Sequence, residues 1–304
     1  MKKYLILLSI LILFVSGSGK KRQRIDKDLI YRIPTVNNNV CKKLTGRAVL
    51  YAIFVDSKDT KPWTEHDIFS SIDSIHCAIN WIEKQAKNDS IVLYIDLVYH
   101  SNNNIIPLEN KFLKKTLSAT LFNPNSVTGG RNVDKWADAV AKQAAKSLGP
   151  DTSVHTKTKI QPLDRDKLIA RLRDIYKTDN VALMYFINNY YTDEISVALH
   201  TAVDNNIEYA IVSYKNTPVI AHEFLHLFGA LDLYISPWDK DKKAKKSKKF
   251  AMQEFPNEIM AFPYRKLEKL NISPFTEYLI GWSDSLDNKY KEMLIGKKIK
   301  LEVY

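Results

Sequence analysis

Residues 48–55, AVLYAIFV, form an unbroken apolar run of strand length, which predicts a strand buried in a core. After Lys61 and Pro62 the pattern changes. Ile68, Ile72, Ile75, Ile79 and Ile82 recur every three or four positions, the spacing of a helix with one core-facing stripe, and Thr64 followed by Asp67 supplies its cap. A second strand is expected over residues 91–99, so strand, helix and strand follow in the order of a crossover between parallel strands. Residues 101–159 are loop-rich, with Asn102 to Asn104, Asn123-Pro124-Asn125 and Gly129-Gly130, and only 133–148 reads as helical. That stretch is expected to be a surface insertion. A charged amphipathic helix over 164–176 leads to a strand over 181–187. Residues 195–203 alternate, as a half-exposed strand at a sheet edge would, and an extended substrate would pair along it. A last strand is expected over 208–214, then a helix with Thr217 as N-cap and Pro218 in its first position. Ser273-Pro274 opens a short helix through Ile280 that Gly281 ends.

The helix after Pro218 carries the chemistry. Residues 222–234 read HEFLHLFGALDLY. Side chains four apart on a helix stand one above the other, so His222 and His226 would direct two imidazoles at one cation. Glu223 follows the first ligand directly, which places its carboxylate beside the metal instead of on it, as a general base for the attacking water. Gly229 tolerates the left-handed backbone that ends a helix and turns the chain, so that Asp232 can return as third ligand. The implied cofactor is Zn2+, with one coordination position left open. A chance HExxH is expected in about 1 of 100 such chains; adding the Gly and the Asp lowers this to the order of 1 in 10⁵. The plain alternative is a core helix, because Val219, Ile220, Phe224, Leu225, Leu227 and Phe228 make it apolar nearly all round. Two His and a Glu in such surroundings need compensation, however, and a metal provides it.

HExxHxxGxxD, with Met260 following in Asn257-Glu258-Ile259-Met260-Ala261-Phe262-Pro263, resembles the metzincin zinc endopeptidases in their Asp-ligand variant. Snapalysin-like and immune-inhibitor-A-like secreted bacterial peptidases are the nearest comparisons, the latter also through Asp232-Leu233-Tyr234. The resemblance is specific over residues 217–264. It implies a methionine turn at Met260 beneath the metal and a substrate pocket walled by Met260, Ala261, Phe262 and Tyr264. Some members place a metal-binding Tyr where this chain has Phe262, so no tyrosine ligand is expected, while Tyr264 would reach the substrate oxyanion. The implied fold is α+β and zincin-like: a twisted mixed sheet with an antiparallel edge strand, an active-site helix and a small C-terminal subdomain. A competing zincin layout takes its third ligand from a later Glu, here Glu254 or Glu258, and ranks below Asp232.

Composition adds the setting. The 304 residues, 45% hydrophobic and 26% charged, suit a globular chain with a large core and show no sign of disorder. Lys2 and Lys3, an apolar run over 4–15 and small residues over 16–19 read as a signal peptide, residues 1–18, for a secreted or periplasmic protein. The alternative is an uncleaved anchor, which the basic Lys20, Lys21, Arg22 and Arg24 would suit; no stable membrane span is expected once the signal is cleaved. Residues 19–46 read as a basic, Asn-rich arm or short propeptide, and 47–304 as the catalytic domain. Cys41 and Cys77 would form a disulfide in an oxidising compartment; the resemblance also allows Cys41 to hold the zinc latent, although its flanks do not match the family's latency motif. Seven lysines between Lys240 and Lys249 predict a solvated loop, at 239–250, bordering the cleft. With a formal charge of +11, that loop would favour acidic substrates or an anionic cell-surface polymer, while no nucleic-acid motif accompanies the charge. His66, His76, His100, His155 and His200 are scattered without metal spacing. The expected partner is a protein or peptide substrate. Two rivals remain: a zinc amidase acting on cell-wall peptide, and a secreted binding or toxin-like module with structural zinc.

Overall fold

Strand β1, Gly46–Ser57, is the axis of the molecule. In the computed structural model, which describes residues 43–58, 60–99, 105–110, 127–149, 164–188, 197–199, 209–213, 216–235 and 242–295, every side chain of β1 from Ala48 to Val55 is buried. The reason is that both faces of the sheet are covered. Ala48, Leu50, Ala52 and Phe54 enter one core, whereas Val49, Tyr51, Ile53 and Val55 enter the other. A strand buried on both sides reads as a continuous apolar run, which is how β1 appears in the sequence.

Helix α1, Glu65–Asn88, leads from β1 to β2, Leu93–Tyr99. Its cap is the expected one: Thr64 accepts from the Asp67 amide at 3.2 Å and its hydroxyl donates to the Asp67 carboxylate at 2.7 Å. β3, Ile105–Leu108, pairs with the far end of β1 beyond β2. Helices α2, Val127–Ser147, and α3, Asp164–Tyr176, follow, and then β4, Asn180–Ile187, lies on the other side of β1. β5, Val197–Leu199, and β6, Tyr209–Val212, complete a six-stranded sheet in the order β2-β1-β4-β6-β5, with β3 also on β1.

The pairings of β1 with β2, β3 and β4, and of β4 with β6, are parallel. This corrects the expected α+β class to α/β. In place of a mixed sheet with an antiparallel edge strand over residues 195–203, the antiparallel pairing comes down to the three residues of β5 against β6. The expectation came from the metzincin resemblance, with the alternation of that one segment in its support; the long two-sided runs of β1 and β4 are the stronger sign of a parallel, helix-covered sheet.

Three further expectations are corrected. Within 101–159, expected as a surface insertion, the described elements belong to the folded body: β3 joins the sheet and α2 packs Val133, Trp136, Ala137, Val140 and Ala144 into the second core with α3. The lysine-rich loop is helical from Lys242: α4, Thr217–His226, is followed by α5, Lys242–Glu254. Among the described residues, the C-terminal segment has no separate core. Helix α6, Pro274–Ile280, and helix α7, Asn288–Ile295, sink Phe275, Leu279, Ile280, Tyr290 and Met293 into the same cluster as α1 and α4. The signal, residues 19–42 of the arm, Cys41, His100, His155 and His200 lie outside the described residues, while Leu44 of the arm is buried in the first core; Cys77 is exposed on α1. No helix among the described residues is long and apolar enough to cross a membrane.

Candidate metal centre

α4 is buried along its length from Pro218 to His226 and packs between the sheet and α1. Asn216 occupies the capping position and Thr217 is already helical, one residue from the expected start. Its C-terminus shows why Gly229 matters. The Ala230 amide reaches back to the Leu225 carbonyl at 3.2 Å, and Gly229 between them adopts φ 100°. This is a Schellman ending, which only a residue free of Cβ strain forms easily. The turn aims the Ala230 carbonyl at the helix it has just left, where it meets His226 Nδ1 at 2.8 Å.

His222 is anchored in the same manner from another element. Its Nδ1 lies 3.2 Å from the Ile259 carbonyl, in the turn before Met260. A carbonyl only accepts, so each ring must carry its proton on Nδ1 and, when neutral, present a bare lone pair at Nε2. Those two nitrogens stand 3.0 Å apart, and Asp232 Oδ1 is 3.0 Å from one and 3.2 Å from the other. Tetrahedral coordination at about 2.0–2.1 Å sets ligand atoms about 3.3 Å apart. Three converging electron-rich atoms repel unless a cation or a proton lies among them. His222, His226 and Asp232 therefore fit a metal ion by geometry and by donor chemistry, with both rings oriented by backbone carbonyls as metal-binding imidazoles usually are.

Burial acts to raise the Asp232 pKa, but the charge available at His226 and the contacts to both imidazoles hold this carboxyl well below the usual carboxylate range. Its side chain remains 35% exposed, whereas those of His222 and His226 are 4% and 8% exposed. The open side of the triad is thus the Asp232 side. Glu223 is buried directly after the first ligand.

The two rival ligands are accounted for elsewhere. Glu254 is bound at the surface by Lys289 at 2.8 Å and by the Tyr290 hydroxyl at 2.9 Å. Glu258 is fully buried, and its carboxylate accepts from the amides of Met260 and Ser273. Burial pushes the Glu258 pKa up, against those hydrogen bonds. Its role is to brace the turn: the Leu233 amide donates to the Met260 carbonyl at 2.9 Å, so the segment around Met260 is tied to both His222 and the third-ligand loop. The structure thus brings the methionine segment against the triad. Met260 and Ala261 are buried, Phe262 lies under the Arg265 guanidinium at 3.7 Å, and Tyr264 is 73% exposed. Of the four expected pocket residues, only Phe262 and Tyr264 present side-chain surface.

Tyr234 was not expected at the site. Its ring centroid is 6.2 Å from that of His222, and Lys248 Nζ lies 5.7 Å over its ring. Burial, then the charges of Asp232 and Glu223, raise its pKa above the usual phenol value. The available signal was the spacing: residues two apart in an extended segment share a side. No family model matches this chain, and no curated protein is similar to it.

Proposed function

We propose that this chain is an exported zinc-dependent endopeptidase, with His222, His226 and Asp232 as metal ligands and Glu223 as general base. One observation carries the reading: three ligand atoms converge within 3.0–3.2 Å while both imidazoles are held by carbonyls in the tautomer that leaves Nε2 bare. Two imidazoles and a carboxylate are donors that suit zinc, and three ligands leave the open position of a catalytic site. Bound there, the metal lowers the pKa of water toward about 7 and polarises a carbonyl oxygen. Glu223 takes the proton from the attacking water and returns it to the leaving amine. The Ala230 and Ile259 carbonyls keep both rings from rotating. The resemblance of HExxHxxGxxD and Met260 to the metzincin peptidases supports peptide as the substrate, and the patterned N-terminus supports export.

The test measures metal content and cleavage of a diverse peptide library by mass spectrometry. Glu223→Gln should retain stoichiometric zinc and lose about 10²–10⁴-fold in turnover. Asp232→Ala should lose zinc on dialysis. Near-normal turnover in the first variant would overturn the mechanism, and undiminished zinc in the second would remove Asp232 from the ligand set. Release of cell-wall fragments without protein cleavage would replace the peptidase by an amidase using the same residues.

A further inference from the structure

Helix α5 sorts its side chains onto two sides. Ala244, Ser247 and Lys248 are partly buried and Ala251 is buried, whereas Lys242, Lys245, Lys246 and Lys249 are exposed. Both sets are spaced i, i+3, i+4 and i+7, so each forms a stripe, and with about 100° of turn per residue the two stripes point in opposite directions. One side meets the body of the protein. The other is a ridge of four ammonium groups whose Cβ atoms stand about 5–6 Å from their neighbours.

The ridge works against the helix that carries it. Like charges at these spacings repel, and the first turn holds no acidic residue where the macrodipole favours one. Cohesion comes from the other end, where Ala251 is buried in the first core and Phe250 and Met252 pack against it. Anions laid along the ridge would remove the repulsion. The ridge also has a fixed place relative to the metal centre: Ala244 and Ser247 stand beside Leu231, Asp232 and Leu233, so α5 lies against the third-ligand loop.

The chemistry of the ridge narrows its occupant. Lysine is a hydrated point charge on a flexible stem, which suits phosphate groups that move, and α5 has no arginine for planar, bidentate recognition. None of the large apolar side chains exposed among the described residues lies on α5, so the helix lacks the wedge by which an amphipathic helix enters a bilayer and the aromatic platform on which bases stack. A folded protein partner is disfavoured too, because lysine is depleted at the cores of such interfaces.

We propose that the outer face of α5 docks a flexible polymer with phosphodiester groups along its backbone, held by Lys242, Lys245, Lys246 and Lys249, and that this keeps the metal centre beside the polymer. Docking of this kind is independent of the peptidase reading, and it is measured as binding with no cleavage step.

The test uses the full-length chain and a fluorescently labelled glycerol-phosphate polymer, with anisotropy followed across a salt series. The unsubstituted chain should bind, with affinity falling as salt rises. Changing Lys242, Lys245, Lys246 and Lys249 together to Gln, a residue of similar helix propensity, should weaken binding about 10²-fold or more. The slope of log affinity against log salt should shrink by about 3, at about 0.7 for each phosphate contact given up. Changing the same four to Arg should keep affinity within about threefold, since the charges remain. The control removes equal charge elsewhere: Lys84 and Lys87 on α1 and Lys142 and Lys146 on α2, all exposed, changed together to Gln, should weaken binding less than about threefold. Hydrogen exchange should show the α5 amides better protected with polymer than without, and the Gln variant should lose that gain.

Equal weakening by the two Gln variants would overturn the ridge, leaving only attraction to the net charge. Absence of binding, or an Arg variant as weak as the Gln variant, would overturn it as well. Equal or tighter binding of poly-glutamate, of vesicles containing anionic lipid, or of single-stranded DNA would overturn the phosphodiester polymer as the partner.

Discussion

Two helices on opposite faces of the sheet carry polar side chains four residues apart, partly buried on α2 and buried on α4, and the contrast between them separates a structural cluster from a chemical one. On α2, Asp134 and Asp138 meet the guanidinium of Arg165 from α3 at 3.1 and 3.0 Å. Tyr209 donates to Asp134 at 3.0 Å, and its ring lies 4.5 Å from the same guanidinium. Donors face acceptors throughout, so burial of Arg165 is compensated within the protein. On α4, His222 and His226 meet Asp232, and here acceptors face one another at 3.0–3.2 Å. The first cluster is complete as it stands. The second is complete only with a cation among its members.

Metal loading is the largest expected difference between them. Zinc at about a thousand times its dissociation constant should raise unfolding free energy by about 4 kcal/mol over the chelated protein. In Asp232→Ala most of that increment should vanish. Thermal unfolding with and without chelator makes the measurement, and an increment that survives the substitution would place the metal elsewhere.

Removing the guanidinium sharpens the contrast from the other side. Arg165→Met should cost about 3 kcal/mol, the low end for breaking a buried pair, because the side chains of Asp134 and Asp138 are 31% and 22% exposed and water can reach them. The zinc increment should be the same in this variant, since the sheet separates the clusters and distant sites add. A changed increment would show that the two faces are coupled.

The two clusters also differ in how far the sequence announces them. His222, Glu223, His226, Gly229 and Asp232 lie within eleven residues, so helix periodicity and one turn determine their geometry. Arg165 lies 27 and 31 residues from its partners, and a charged residue is ordinarily read as exposed. The helix of α2 was legible over 133–148, but its burial was not: Asn and Gly around it suggested a surface insertion, and only the pairing of β3 with β1 and the packing of α2 into the second core show that the segment belongs to the folded body. α5 was hidden by its charge. Lysine is a good helix former, but a run of it interrupted only by Ala244 and Ser247 leaves the apolar signal to Phe250, Ala251 and Met252 at its end. Lys248 reaches the Tyr234 ring through tertiary packing alone, which no local pattern encodes.

A third cluster tests the smallest effect, because its acceptors are resolved by neither a guanidinium nor a metal. Glu277 on α6 is half-buried and faces the carboxylates of Asp89 and Glu258. Burial first, then these two charges, push its pKa up to about 7, so this cluster resolves its acceptors with a proton on Glu277. Since the folded value lies above the unfolded one of about 4.3, the native state binds the extra proton between them. The stability contributed is fully present below the unfolded value and is lost as pH rises through about 7. Glu277→Gln mimics the protonated form. At pH 8 it should gain about 1 kcal/mol, trimmed by solvent screening of a half-buried group, or a Tm rise of about 2–4 °C. At pH 4 the gain should disappear. A variant equally stabilised at both pH values would mean that the amide improves packing, and that Asp89 and Glu258 do not force a proton onto Glu277.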